Sequence, residues 1–200
     1  LIAGDTLRDL GCKVFLRNTD QHGGGMFWRF GACELADAEA VIVRDTDSRI
    51  TFREAIAVSE WLASGKSLHV MRDHPWHTNK IMGGMWGLQG AQALETFSSI
   101  LQSESKSQLY GEDQRFVSET VYPLFKSDVM VHDSFSRQEW HRKKFVERTA
   151  GEFIGEAIDC LGRPNHALRN TVVKFENQAV RAFVHRVIWK SQRLLKRLGP

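Results

Sequence analysis

Two short apolar runs, each ending in a cluster of charged residues, constrain the fold of this 200-residue chain most strongly. Ala38–Val43 leads into Arg44–Arg49, and Ser67–Met71 leads into Arg72–His77. Apolar runs of this length are typical of buried strands. Because ligands of open α/β sheets bind at the carboxyl ends of the strands, both polar clusters are candidate site segments.

Helix signals separate the predicted strands. Thr51 and Glu54 have the spacing of a capping box, and Gly65 stands where the following helix would end. Strands alternating with helices predict an α/β sandwich with a mostly parallel sheet. The other predicted strands are Lys13–Leu16, Ile81–Leu88 and Asp128–Val131, and the other predicted helices are Ala3–Leu10, Ala91–Gln102 and Glu112–Val121.

Composition excludes several classes of protein. With 42% hydrophobic and 26% charged residues, the chain is neither a disordered tail nor a small disulfide scaffold. No run of about 18 apolar residues predicts a membrane-spanning helix. The three cysteines are scattered and form no CxxC pair, which favours a reducing, cytoplasmic location.

Charge divides the chain into two predicted parts. Residues 165–200 carry eight basic residues and one acid, whereas residues 1–164 are net acidic. Apolar residues recur at helical spacing over 168–198, so 165–200 is predicted to be a basic amphipathic helical tail. Such a helix either lies at the surface of an anionic membrane or packs on the body through its apolar stripe. The first alternative implies peripheral attachment to the inner face of the membrane. The acidic body and the absence of a nucleic-acid motif argue against nucleic acid as a partner.

Asp45-Thr46-Asp47 is the clearest chemical signal in the chain. Two carboxylates one residue apart at a strand end can share a divalent cation, and His132 offers a third ligand that favours Mn²⁺ over Mg²⁺. The cation would neutralise the charge of a leaving diphosphate, and Arg44 and Arg49 would contact its phosphates. The alternatives are a turn that caps the next helix and a structural histidine.

Three further positions are candidates for contact with a ligand. Asp73 could place a carboxylate near a reacting sugar, or form only an ion pair with Arg72. Gly83 and Gly84 permit close approach of a ligand to the backbone, or mark a bulge. Asp113-Gln114 lies at a predicted helix start.

Several motifs follow one another in order: Gly25-Met-Phe-Trp-Arg-Phe, Arg44-Asp-Thr-Asp-Ser-Arg, His69-Val-Met-Arg-Asp-His-Pro, Met82-Gly-Gly-Met-Trp-Gly, Asp113-Gln114 and Val131-His-Asp. This series resembles a family of bacterial and viral glycosyltransferase-like proteins, over a segment from Gly25 to Asp159. The family is similar to GT-A-type nucleotide-diphosphosugar transferases, and distantly to the glycogenin and lipopolysaccharide galactosyltransferase group.

The resemblance implies a metal-dependent glycosyltransferase of GT-A-like fold that moves a sugar from a nucleotide diphosphate to a glycan or lipid-linked acceptor. By the resemblance, Asp45, Asp47 and His132 would hold Mn²⁺ or Mg²⁺ and the donor diphosphate. The sugar and the acceptor would be surrounded by Asp73, Gly83, Gly84, Asp113 and Gln114.

Two alternatives stay open at this stage. A GT-A fold opens with a strand that grips the nucleotide base, whereas this chain starts at what resembles the following helix. We therefore expect a fold lacking its first strand, and a non-catalytic, transferase-like binding module is one alternative. The other is a phosphohydrolase with Asp45 as nucleophile and Asp47 as acid/base, although Thr46 and Ser48-Arg49 fit that pattern poorly.

Overall fold

A computed structural model describes residues 2–15, 24–103 and 111–180 of the chain. Within these residues, one sheet contains β1 Ala40–Arg44, β2 Leu68–Arg72, β3 Met85–Gln89 and β4 Val129–Asp133. The helices are α1 Ile2–Asp9, α2 Phe52–Ser64, α3 Ala91–Ser103, α4 Glu112–Phe116, α5 Tyr122–Phe125 and α6, residues 166–180. A π-helical turn, Val117–Val121, joins α4 to α5, and 3-10 segments span Gly24–Glu34 and Lys126–Asp128. The predicted α/β class is confirmed.

The sheet has the strand order β1-β3-β2-β4. β3 pairs antiparallel with both β1 and β2, whereas β2 and β4 are parallel. Three of the four strands therefore run in one direction, but only one of the three pairings is parallel. The prediction of a mostly parallel sheet needs this correction, because β3 is inserted in the reverse direction. The carboxyl ends of β1, β2 and β4 lie at one edge, which we call the carboxyl edge.

The strand predicted at Lys13–Leu16 is wrong for residues 13–15, which have no regular structure; Leu16 lies outside the described residues. Phe15 is exposed, and Lys13 forms an ion pair with Asp37. The segment does not bury its side chains against the sheet. A few apolar residues in a row are therefore not sufficient to form a strand here.

Both ends of α2 form as the sequence predicts. The Thr51 hydroxyl accepts a hydrogen bond from the backbone N–H of Glu54 at 3.2 Å, and Gly65 adopts φ 68° at the carboxyl end. The Glu54 carboxylate does not complete the capping box. Its Oε1 lies 2.8 Å from Nε of Arg44 instead, and this ion pair joins the start of α2 to the end of β1.

An aromatic cluster fixes the 3-10 segment Gly24–Glu34 against the sheet. The Phe30 ring is fully buried, with its centroid 5.6 Å from that of Trp86 and 5.8 Å from that of Phe97. Phe27 packs on Phe116 in α4. Because Phe27 and Phe30 are both buried in the core, the position of Arg29 between them is fixed by the packing of its neighbours.

The described part of the C-terminal segment packs on the body. Val172 in α6 is fully buried, and Arg169 pairs with Glu156 at 2.6 Å. A second ion pair joins Glu176 to Arg148 at 2.7 Å. Residues 181–198 of the predicted amphipathic tail lie outside the described residues. In the described part of the chain, no helix has the length and apolar character needed to cross a bilayer.

Candidate functional site

A polar cleft of about 590 Å³ opens at the carboxyl end of β1. Its walls come from the 3-10 segment, from the loop that follows β1, and from a short stretch near residue 156. The lining residues are Gly25, Arg29, Arg44, Asp45, Thr46, Asp47, Gly155 and Ala157. The sequence-predicted residues Arg44, Asp45 and Asp47 are thus brought together in one cavity at the expected edge of the sheet.

Arg29 lies between two carboxylates at this cleft. Its Nη1 is 2.6 Å from Oδ1 of Asp45, and its Nε is 3.8 Å from Oδ2 of Asp113. A guanidinium carries five N–H donors in a planar fork, so two carboxylates do not use all of them. Arg29 can therefore bind an anionic or hydroxyl-bearing ligand while it stays paired to Asp45.

Asp113 presents an unusual buried carboxylate next to this arginine. The residue is almost fully buried, and within the described residues its Oδ1 finds no hydrogen-bond donor. Leaving a buried acceptor without a donor costs about 1–3 kcal/mol, and more for a charged group. Asp113 does not itself line the cleft, so its charge acts there through Arg29.

Gly83 and Gly84 fit closely around the two acidic side chains. A Cβ added at Gly83 would lie 3.5 Å from both the Asp113 carboxylate and the Gln114 amide oxygen. At Gly84 the added atom would collide with the Asp45 carboxylate. The space left by the missing side chains of these glycines is therefore occupied by the protein's own carboxylates and not left open for a ligand.

Gly84→Ala is expected to displace the Asp45 carboxylate from Arg29 and to lower any activity of the cleft by at least about tenfold. The measurement compares the initial rate of the variant with that of the wild type on the same substrate. Gly4→Ala is the matched control, because its added Cβ meets other atoms only at 3.8 Å or more. Equal rates for Gly84→Ala and wild type would contradict a role for the position of Asp45.

Arg44 is fastened to the cleft wall by three contacts. Its Nη1 donates to the Gly84 carbonyl at 2.9 Å, and its Nη2 donates to the Ser48 hydroxyl at 3.1 Å. The third contact is the ion pair with Glu54. Within the described residues, the Arg44 Nε–H forms no hydrogen bond, so this pair is close in distance but poorly aligned. Burial raises the pKa of Glu54, while the charge of Arg44 opposes that rise. Arg44 therefore keeps a fixed position without a strong hydrogen bond to its acid.

The loop after β1 is covered by residues 155–158. Ser48 and Ala157 form an isolated antiparallel bridge, and the Ile158 N–H donates to the Asp47 carbonyl at 2.8 Å. Arg49 is exposed, with its guanidinium against Gly162 rather than in the cleft lining. Arg49 is therefore not positioned to make the predicted phosphate contact at this cleft.

Gln114 holds the loop that carries the glycines. Its Oε1 accepts from the Gly83 N–H at 2.7 Å, and its Nε2 donates to the Ile81 carbonyl and to the Ser118 hydroxyl. The amide is committed on both sides to the protein. Gln114 therefore positions the glycine loop, and the contact with the sugar or the acceptor that the resemblance implies for it stays a prediction.

Asp73 lies in the interior and not at the cleft. The carboxylate is fully buried, and its oxygens accept hydrogen bonds from Arg53 at 2.8 Å and from Arg148 at 2.8 Å. The Ser134 hydroxyl and the Ile154 N–H also donate to it. The prediction that Asp73 contacts a reacting sugar is wrong here, because its oxygens are surrounded by donors of the protein itself.

Asp73→Ala is expected to lower the free energy of unfolding by about 3–5 kcal/mol, because it leaves two arginines without their buried partner. Urea unfolding measures this loss. Asp37→Ala removes an exposed acid that pairs with Lys13, and should change stability by less than about 0.5 kcal/mol. Unchanged stability of Asp73→Ala would contradict the structural role.

His132 is also committed elsewhere. The ring lies on β4, at the other end of the strand order from β1. Its Nδ1 is 2.9 Å from Nε2 of His69, and its Nε2 is 3.1 Å from the Glu60 carboxylate. Burial lowers the pKa of His132, while Glu60 raises it. Neither ring nitrogen is free for a ligand at the cleft.

The predicted metal site of Asp45, Asp47 and His132 does not fit this arrangement. His132 uses both nitrogens in the interior, and Asp45 pairs with Arg29. In the described ranges there is no group of three His, Cys, Asp or Glu side chains that could hold a metal ion. Only Asp45 and Asp47, both at the cleft, remain as candidate ligands for a cation.

Sequence reasoning missed Arg29, Gly155 and Ala157 as parts of the cleft. Arg29 stood in the motif Gly25-Met-Phe-Trp-Arg-Phe as one basic residue among aromatics. That isolation was the available signal, because a charged residue between two buried rings must turn toward a partner. Gly155 and Ala157 carry no comparable signal.

The chain was compared with known proteins. No protein-family model and no curated protein matches it. The solved structures include a similar one. It is described as the crystal structure of a glycosyltransferase involved in the glycosylation of the major capsid of PBCV-1. The similarity has a TM-score of 0.47 and 17% sequence identity, and covers 66% of this chain and 73% of that one. Similarity at this level does not establish a shared activity.

Proposed function

We propose that the chain is a glycosyltransferase of GT-A-like architecture that binds a nucleotide-diphosphosugar in the cleft of Arg29 and Asp45. The observation that carries this proposal is the open polar cleft at the carboxyl end of β1, where two arginines, Arg29 and Arg44, and two carboxylates, Asp45 and Asp47, line one cavity. That combination offers acceptors for sugar hydroxyls and cations for phosphates within one cavity.

The diphosphate of the donor matches the two arginines of the cleft. Arg29 and Arg44 both line it, and Arg44 is held rigidly by Gly84 and Ser48. Fixed guanidinium groups stabilise negative charge on phosphate oxygens, and that charge grows as the sugar–phosphate bond breaks. Both arginines would therefore favour departure of the nucleoside diphosphate.

The sugar of the donor matches the acidic side of the cleft. The exposed carboxylate of Asp47 would accept a hydrogen bond from a hydroxyl, and Asp45 would hold Arg29 against the sugar or the phosphate. Fixing the anomeric carbon in this way lets an acceptor hydroxyl attack it from a constant direction. The acceptor is a glycan or a lipid-linked glycan.

The proposal includes a metal ion with two protein ligands instead of the three predicted from the sequence. Asp45 and Asp47 supply two carboxylates, and the other ligands of a Mn²⁺ or Mg²⁺ ion would be donor phosphate oxygens and water. Such an ion would neutralise charge on the diphosphate. Calorimetric titration of the donor with and without Mn²⁺ measures this contribution directly.

A panel of uridine, guanosine, cytidine and thymidine diphosphosugars tests the function. We expect one donor to be hydrolysed slowly, and transferred faster once an acceptor glycan is added. Donor binding without turnover would favour the transferase-like binding module. Release of phosphate from a phosphate monoester, with a phosphoaspartate trapped on Asp45, would favour the phosphohydrolase instead.

A further inference from the structure

A second surface combines exposed tryptophans with basic side chains. It consists of two loops, residues 76–80 and 137–144, which we call the Trp–cation surface. Trp140 is 92% exposed and Trp76 is 62% exposed. The loops are joined by a hydrogen bond of 2.7 Å from Nε2 of Gln138 to the Thr78 carbonyl.

Trp140 is held outward by an anchor on either side. Glu139 turns inward, where its carboxylate binds Arg72 and accepts a hydrogen bond from the Tyr122 hydroxyl at 2.6 Å. Lys143 follows the end of β4 with two backbone hydrogen bonds: its N–H donates to the Val131 carbonyl, and its carbonyl accepts from the Asp133 N–H. Trp140 lies between these two anchors, so its exposure is set by the fold.

The charge of the surface is strongly positive. Residues 137–144 contain four basic side chains and one acid, and that acid is the buried Glu139. Lys143 is balanced by Glu60 at 3.2 Å. Within the described residues, no ion pair is found for Arg137, Arg142 or Lys144. Arg142 is half-buried and donates to the Glu139 carbonyl, whereas Arg137, Lys144 and the two indoles are exposed.

We propose that the Trp–cation surface docks on an anionic phospholipid bilayer. Tryptophan concentrates at the headgroup level of membranes, and lysine and arginine beside it are attracted to anionic lipid. Single-stranded nucleic acid is a weaker fit, because its binding sites are grooves that track the backbone. A side chain that is 92% exposed, as Trp140 is, forms no wall of a groove.

The surface also has a suitable position in the fold. Loop 137–144 returns to β4 at its carboxyl end, so the surface lies at the same sheet edge as the cleft. A bilayer docked there would bring a membrane-borne acceptor to the edge at which the cleft opens. This last consequence rests on the proposed function, whereas the docking itself does not.

The test is sedimentation of the full chain with vesicles of phosphatidylglycerol and phosphatidylcholine in equal parts, compared with phosphatidylcholine alone. The variant Trp140→Ser/Lys144→Glu should lower the partition coefficient for the anionic vesicles by about tenfold or more. Lys144→Arg keeps the charge and should bind as wild type does. Brominated lipid should quench wild-type tryptophan fluorescence more than that of Trp140→Ser.

Leu124→Ser/Lys126→Glu is the matched control. It likewise replaces an exposed apolar residue by serine and an exposed lysine by glutamate, ahead of the amino end of β4. We expect its partition to stay within about twofold of wild type. Equal binding by wild type and Trp140→Ser/Lys144→Glu would overturn the proposal, and so would equal binding to neutral and anionic vesicles. Retained transfer with lost vesicle binding would separate the docking surface from the proposed activity.

Discussion

Asp45→Asn is expected to reduce sugar transfer by about 100-fold or more, because it removes the charge that holds Arg29 at the cleft. The ion pair is short, with 2.6 Å between the guanidinium and the carboxylate. The carboxylate also fills the space beside Gly84, where its atoms are the nearest ones to an added Cβ. The measurement is the initial rate with the best donor of the nucleotide-sugar panel, at saturating and limiting donor.

Asp37→Asn is the matched control, since it makes the same change at an exposed carboxylate that pairs with Lys13. It should leave the rate within about twofold of wild type. Thermal unfolding of both variants separates loss of function from loss of fold. A rate for Asp45→Asn equal to that of wild type would remove Asp45 from the mechanism.

Acidification is expected to destabilise the fold, because four histidines are held neutral in or near its interior. Burial lowers the pKa of His69, His74, His77 and His132. The clearest case is His77, whose pKa falls from 6.5 to about 3. Its Nδ1 accepts hydrogen bonds from the backbone N–H groups of Asp73 and His74. Protonation at Nδ1 would break both.

The direction in which stability changes with pH follows from the lowered pKa of His77. Above pH 6.5 the histidine is neutral in both states, and its contribution to stability is complete. Between pH 6.5 and 3 the unfolded chain binds a proton that the folded chain does not. At pH 5 this costs about 2 kcal/mol from His77 alone. The other three histidines act in the same direction, whereas Glu54 acts in the opposite one, because burial raises its pKa.

Urea unfolding at pH 7.5 and pH 5.0 measures the effect. His77→Asn should reduce the difference between the two pH values by about 2 kcal/mol. Stability of His77→Asn at pH 7.5 is measured as well, to separate its acid sensitivity from any loss of packing. If His77→Asn shows the full wild-type loss at pH 5.0, then His77 is not a source of acid sensitivity.

The backbone of this fold was largely predictable from local signals. The capping pair at Thr51 and Glu54 fixed the start of α2, and the apolar runs located β1 and β2 within two residues. The direction of β3 was not predictable. An apolar run indicates that a strand is buried, but not which strand it pairs with or in which direction. Lys13–Leu16 failed for a related reason, since strand propensity needs a partner strand to be realised.

The cleft was predictable only in part. Asp45 and Asp47 follow an apolar strand, and that position alone brings them to the carboxyl edge. Asp73 follows β2, and His132 lies within β4 near its carboxyl end. These two strand ends are covered by loops that supply Arg148 and Lys143. Which strand end stays open depends on contacts far apart in sequence. The position of Arg29 depends in the same way on the packing of distant aromatic residues.

Calorimetric titration of nucleotide-diphosphosugars into the wild type and Arg29→Ala tests the central claim most directly. The claim is that the cleft of Arg29 and Asp45 binds the donor through charge on its phosphates. We predict saturable heat with one donor of the panel for the wild type, and a loss of affinity of at least about tenfold in Arg29→Ala. Equal affinity in the two proteins would show that the donor binds elsewhere, and would contradict the account.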